Sequence, residues 1–193
     1  MNEDIKVKEE KQTVLVAFYS KTMRDMISLS LKDQGYKVIE AVDGADALRY
    51  VFTDRPDCII TFVDLPIING YNLSRILKNT GAFRNIGIII CSTEENSVFN
   101  FWAKNILCDG FFIPSENNMN LLGDYVAKII AKQKKTEKKR YPAPTAKQII
   151  NLLQAAYDTE QFNLYILKGC YQALIDSFNL EELIKETVLA VSG

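Results

Sequence analysis

Five short apolar runs, each followed by a stretch with helical spacing, constrain this chain more than any other feature. The runs are Val14–Phe18, Lys37–Ala41, Cys58–Val63, Ile86–Cys91 and Phe111–Ile113. As a set they are apolar rather than alternating, the pattern of strands covered on both faces. Thr22–Gln34 places Met23, Met26, Ile27 and Leu31 on one helical face, and Gly35 stops it. Ala45–Phe52 follows the Asp43-Gly44 turn and is broken by Asp54-Arg55-Pro56. Leu73, Ile76 and Leu77 mark a third helix after a loop with Pro66 and Gly70. Val98–Ile106 reads as a fourth helix, and Leu121, Leu122, Tyr125, Val126, Ile129 and Ile130 as a fifth. Strands and helices in strict alternation predict an α/β fold, a doubly wound parallel sheet of five strands with helices on both faces. Ligands in such folds sit beyond the C-terminal ends of the strands. The segments to inspect are therefore Phe18–Lys21, Phe62–Ile67, Ser92–Glu95 and Pro114–Ser115.

Composition narrows the chemistry. The 193 residues are 48% apolar and 24% charged, enough for one domain with a buried core and an extension. There is no histidine, which removes imidazole bases, histidine triads and most zinc sites. Net charge is −1, so the chain as a whole has no basic field for nucleic acid. Cys58, Cys91, Cys108 and Cys170 form no CxxC pair and three lie in apolar runs, so reduced, buried thiols are expected and no metal or other cofactor. Met1–Gln12 is a polar leader without an apolar signal core, and no apolar run approaches the length of a membrane span, so a cytoplasmic protein is expected.

The expected division is a leader over 1–12, a domain over 13–133, a linker over 134–145 and a helical segment over 146–193. Lys128–Arg140 holds seven basic residues and one acid, and Pro142 and Pro144 follow. This reads as a solvated helix end running into a linker, with contact to an anionic surface as the alternative. Beyond Pro144, Ile150, Leu153, Tyr157, Leu164, Leu167, Tyr171, Leu174 and Phe178 recur at alternating spacings of three and four, with Glu160 in the one missed place. That stripe predicts a heptad seam and a homodimer, and the alternative is a hairpin folded back on itself or on the first domain. Asn179 and Glu182 form a capping box for a last helix, Leu180–Val191. The segment after Pro144 has three lysines against six acids, so no base-reading helix and no specific nucleic-acid partner are expected.

Four stretches carry a family resemblance: VLVAFYSKTMRDMI, QGYKVIEAVDGADALR, RPDCIITFVDLPIINGYNL and CDGFFIPSE. Through them Thr13–Lys132 resembles a receiver domain of bacterial two-component response regulators. The resemblance implies a site in which a strand-three aspartate accepts a phosphoryl group. Two acids after strand one hold Mg²⁺, and a hydroxyl and a lysine after strands four and five bind phosphoryl oxygens. In this sequence the acceptor position falls on Phe62, the acidic pair on Phe18 and Tyr19, and the lysine on Pro114. Only the hydroxyl is kept, as Ser92. This pattern is that of a degenerate pseudo-receiver, an interaction module and not an enzyme. The rival reading is an atypical receiver that takes phosphate or a cation through Asp64 and Ser92.

The resemblance also implies a partner surface on helix four, strand five and helix five. Phe99, Phe101, Trp102, Phe111 and Tyr125 are its candidate residues, for a second copy or another signalling protein. The stretch LYILKGCYQALIDSFNLEELIKETVLAV resembles the helical lead-in to GAF-type modules, so an N-terminal part of a longer regulator is a further expectation.

Overall fold

A computed structural model describes residues 11–93, 107–115, 117–133, 139–152 and 154–155. The strands are β1 (Thr13–Ala17), β2 (Lys37–Ala41), β3 (Cys58–Phe62), β4 (Gly87–Cys91) and β5 (Gly110–Phe112). The helices are α1 (Lys21–Asp33), α2 (Gly44–Asp54), α3 (Gly70–Asn79) and α4 (Leu122–Lys132). Helix α4 is the fifth helix expected from sequence, because residues 98–106 lie outside the described residues. One 3₁₀ turn, Met119–Leu121, leads into α4.

All strands pair in parallel, in the order β2-β1-β3-β4-β5. Val14 stands opposite Val38 on one side and Cys58 on the other. Alternate side chains serve the two helical layers. Val14, Val16, Cys58, Ile60, Ile89 and Cys91 meet Ile27 and Leu31 of α1 and Leu122, Val126 and Ile129 of α4. Leu15, Ile59, Ile88 and Ile90 point the other way and are fully buried, as are Leu48, Val51, Leu73 and Leu77 of α2 and α3. The edge strand β2 departs from the expected covered run: Lys37 is exposed and Val38, Ile39 and Glu40 are half-buried. An edge strand has one neighbour and less helix above it.

The helices start on local signals. Ser20, Asp43 and Asn69 occupy the caps of α1, α2 and α3 and accept from Met23 N, Asp46 N and Asn72 N. Gly35, at φ 91°, takes the left-handed turn after α1. Arg55 does the same after α2, at φ 53°, although it bears a side chain. Gly70 is required for a different reason: a Cβ there would stand 2.5 Å from the carbonyl oxygen of Phe62.

Several expected boundaries move by one residue, since β1 ends at Ala17, β3 at Phe62 and β5 at Phe112. Phe18, Val63 and Ile113 therefore open loops. Residues 146–152 are helical, started by a reciprocal box in which Thr145 N donates to Gln148 Oε1 and Gln148 N to Thr145 Oγ1. Two compact units divide at Ile150/Asn151. Ile150, the first seam position, is 60% exposed. The remaining seam positions, from Leu153 to Phe178, lie outside the described residues, as does the box at Asn179 and Glu182.

Candidate functional site

The ends of β1, β3, β4 and β5 meet at one edge of the sheet. There they enclose a cavity of about 130 Å³ lined by Phe18, Tyr19, Ser20, Met23, Phe62, Ser92, Thr93 and Pro114. All five positions singled out from sequence, Phe18, Tyr19, Phe62, Ser92 and Pro114, line it. Phe18 is fully buried and its ring centroid lies 5.7 Å from that of Phe62. Tyr19 is 58% exposed and meets Phe62 edge-on, also at 5.7 Å. Such tilted and edge-on pairs are the favourable aromatic geometries. Arg24 holds this loop from below, donating from Nη1 to Phe18 O at 2.6 Å and pairing with Glu40 at 3.6 Å. Ser92 is nearly buried, and its backbone N–H donates to Phe112 O.

Asp64 is not among the lining residues and its side chain is exposed. Next to it the chain turns sharply. Pro66 O accepts from both Gly44 N and Ile68 N, and Ile67 takes φ 68° with 71% of its surface exposed. A β-branched residue in the left-handed region is strained, and such strain concentrates at functional loops. Sequence inspection missed Met23, whose helical spacing marked it as ordinary core; Ile67 lay within the segment Phe62–Ile67 singled out beyond the third strand, but no local signal reveals its φ.

Phe111 and Tyr125 are not among the residues that line the cavity. Phe111 and Tyr125 are half-buried, and Tyr125 stacks on Phe112 at 6.1 Å. Phe99, Phe101 and Trp102 lie outside the described residues. Cys58 and Cys91 are free and fully buried, and burial pushes both thiols well above their ordinary range. Cys108 is partly exposed and pushed up to about 12. Among the described residues no three acidic or cysteine side chains gather to hold a metal ion, and no helix is long and apolar enough to cross a membrane.

A family model described as response regulator receiver domain matches residues 14–112, just over half of the chain. The chain belongs to the response regulator receiver family. This receiver is 29% identical over 110 residues to protein PilG of Pseudomonas aeruginosa, covering 57% of the chain and 82% of PilG. It is 30% identical over 107 residues to SphR of Synechococcus elongatus, an alkaline phosphatase synthesis transcriptional regulatory protein, covering 51% of the chain and 41% of SphR. Among solved structures, the chemotaxis response regulator CheY4 of Vibrio cholerae is similar, with a TM-score of 0.56 and 25% identity. That match spans 62% of this chain and 99% of CheY4. The receiver domain of a histidine kinase from Syntrophus aciditrophicus matches with a TM-score of 0.59 and 26% identity, over 66% and 96% of the two chains.

Among the described residues, the cavity's donor set does not fit the Mg²⁺ of the family's chemistry. Mg²⁺ takes carboxylate and water oxygens in tight octahedral geometry. Here the described cavity offers two phenyl rings, a phenol, a thioether and the hydroxyls of Ser20, Ser92 and Thr93. The phenyl ring of Phe62 has no oxygen with which to attack phosphorus.

Proposed function

We propose that this receiver works without phosphorylation, as a protein-interaction module of two-component signalling rather than as an enzyme. The observation that carries the reading is the aromatic cluster of Phe18, Tyr19 and Phe62 at the mouth where receiver chemistry needs carboxylates. A carboxylate cluster with Mg²⁺ can exist in two charge states; a set of packed rings has one. The domain is then held in a single form, and its partners recognise that form.

The partner is another signalling protein, or a second copy docked through the stripe that begins at the exposed Ile150. The chain divides as its composition suggests, into a receiver body, a basic linker and a helical dimerisation segment, and it works in the cytoplasm. Matched relatives include the sensor protein EvgS of Escherichia coli, of which the aligned region is 8%, so segments similar to this receiver occur inside much longer proteins. A role as the N-terminal part of such a regulator is compatible with the same reading.

Acetyl phosphate or beryllofluoride with Mg²⁺ tests it. The expected result is no phosphoryl adduct by intact mass and no binding by calorimetry. A gain of one phosphoryl group that disappears in Asp64→Ala or Ser92→Ala would establish the atypical receiver instead.

A further inference from the structure

At the opposite edge of the sheet, where the strands begin, the chain after α4 returns to the body. Helices α2 and α4 flank opposite faces, and each runs antiparallel to the strands, so their C-terminal ends share this edge. The backbone N–H of Tyr141 donates to Phe52 O at 2.9 Å. Phe52 lies in the last turn of α2, whose terminal carbonyls have no partner within the helix. The Tyr141 ring stands 6.3 Å from Phe52 and 5.9 Å from Phe83, edge-on to both, and these two rings are 4.7 Å apart.

Arg55 completes the cluster. Its guanidinium lies 4.6 Å from the centre of the Phe83 ring and 5.8 Å from that of Tyr141, and Nη2 donates to Ala82 O at 2.6 Å. Only 6% of the residue is exposed, yet Nε and Nη1 have no hydrogen-bond partner among the described residues. Lys139 Nζ sits 5.9 Å from the Tyr141 ring.

We propose that residues 139–141 form a releasable strap, in which Tyr141 clasps the Phe52–Arg55–Phe83 cluster and fastens the basic stretch after α4 to the receiver body. Two opposed effects make it releasable. Closure buries ring surface and caps an orphan carbonyl of α2, and it places cations against aromatic faces. Against closure stand two buried guanidinium donors of Arg55 that have no partner among the described residues, a cost that opening relieves where it admits water. Opening would expose more of Phe83 and Arg55, both buried in the closed form, beside the already half-buried Phe52. The body and the stretch that follows it are therefore coupled through a contact with two positions rather than joined by a free tether.

Timed trypsin digestion of the full chain under native conditions, read by mass at the Arg140–Tyr141 bond, tests the strap. Tyr141→Ala is expected to be cut there at least about tenfold faster than wild type, while Tyr141→Phe, which keeps the ring, stays within about twofold. Amide exchange gives a second reading: the Tyr141 N–H of the wild type is expected to exchange at least about tenfold more slowly than in an unfolded chain. Equal cleavage of wild type and Tyr141→Ala, or a Tyr141 amide exchanging at the unfolded rate, overturns the proposal. Tyr141→Phe cut as fast as Tyr141→Ala does the same, because ring packing would then not be the fastening.

Discussion

The Phe62 ring at the end of β3 stands 5.7 Å from the Phe18 ring just past β1, tilted by 37°. Strands β1 and β3 are neighbours in register, with Ala17 opposite Thr61, so residues 18 and 62 leave the sheet side by side. Their pairing follows from the parallel ladder and not from nearness in sequence.

Replacing Phe62 by Asp removes that ring contact and puts a carboxylate beside Phe18. Phe62 is partly exposed, so the charge keeps some water, and the expected loss is about 2 kcal/mol by urea unfolding at neutral pH. Phosphorylation is not expected to appear, since neither acidic partner nor lysine accompanies the new group. An unchanged melting temperature would mean a wet cavity and a wrong account of its rings.

Gly70→Ala is expected to cost more, about 3 kcal/mol, because its Cβ would meet backbone rather than a flexible side chain. The oxygen in the way is the Phe62 carbonyl, at 2.5 Å. Thermal unfolding of the variant measures the loss, and a stability equal to wild type would show that the β3–α3 loop can shift.

Asp109 joins three elements. Its carboxylate accepts from Ile88 N at 2.8 Å and from Lys78 Nζ, which also donates to Ile86 O at 2.9 Å. Asp109→Ala leaves a backbone N–H of β4 and a largely buried ammonium short of a partner. About 2 kcal/mol of stability should go, visible as a lower urea midpoint.

Alkaline pH should weaken the fold through Cys58 and Cys91. In the unfolded chain their thiols ionise above about pH 8.5, whereas in the folded protein burial keeps them protonated. Their contribution is thus fully present below that pH and is lost as pH rises past it, by up to about 1.4 kcal/mol per pH unit for each thiol. Cys91→Ala should give a shallower fall of stability between pH 8.5 and 10.5. Thiol-specific labelling of both residues should track global unfolding.

Leu167→Glu addresses the C-terminal stripe. In a two-stranded seam it sets like charges face to face, and light scattering should then report monomers where the wild type is dimeric. A variant that remains dimeric with unaltered stability would place the apolar stripe in some other contact.

Local chemistry was enough for the five strands and for the helices among the described residues, and for their order. Apolar runs and the stop at Gly35 each act over a few residues, so the five strands were legible in sequence, whereas the cavity-lining positions Phe18, Tyr19, Phe62, Ser92 and Pro114 came from the resemblance to receivers, and the caps Ser20, Asp43 and Asn69 from the folded chain. Parallel pairing then brings strand ends together whatever their separation, which is why residues 74 positions apart from Phe18 to Ser92 could be assigned to one mouth. Other features needed the folded chain. Met23 lines the cavity because of how α1 is rotated against β1 and β3, and helical periodicity cannot distinguish a core position from a cavity wall. The left-handed backbone of Ile67 is imposed by the turn between Val63 and Gly70, and no residue preference announces it. Tyr141 read as linker, since a basic, proline-flanked stretch has no core-facing period. It is held because α2 ends with an open carbonyl, and Phe52 and Arg55 at the end of α2 meet Phe83, about thirty residues on in sequence, beneath it.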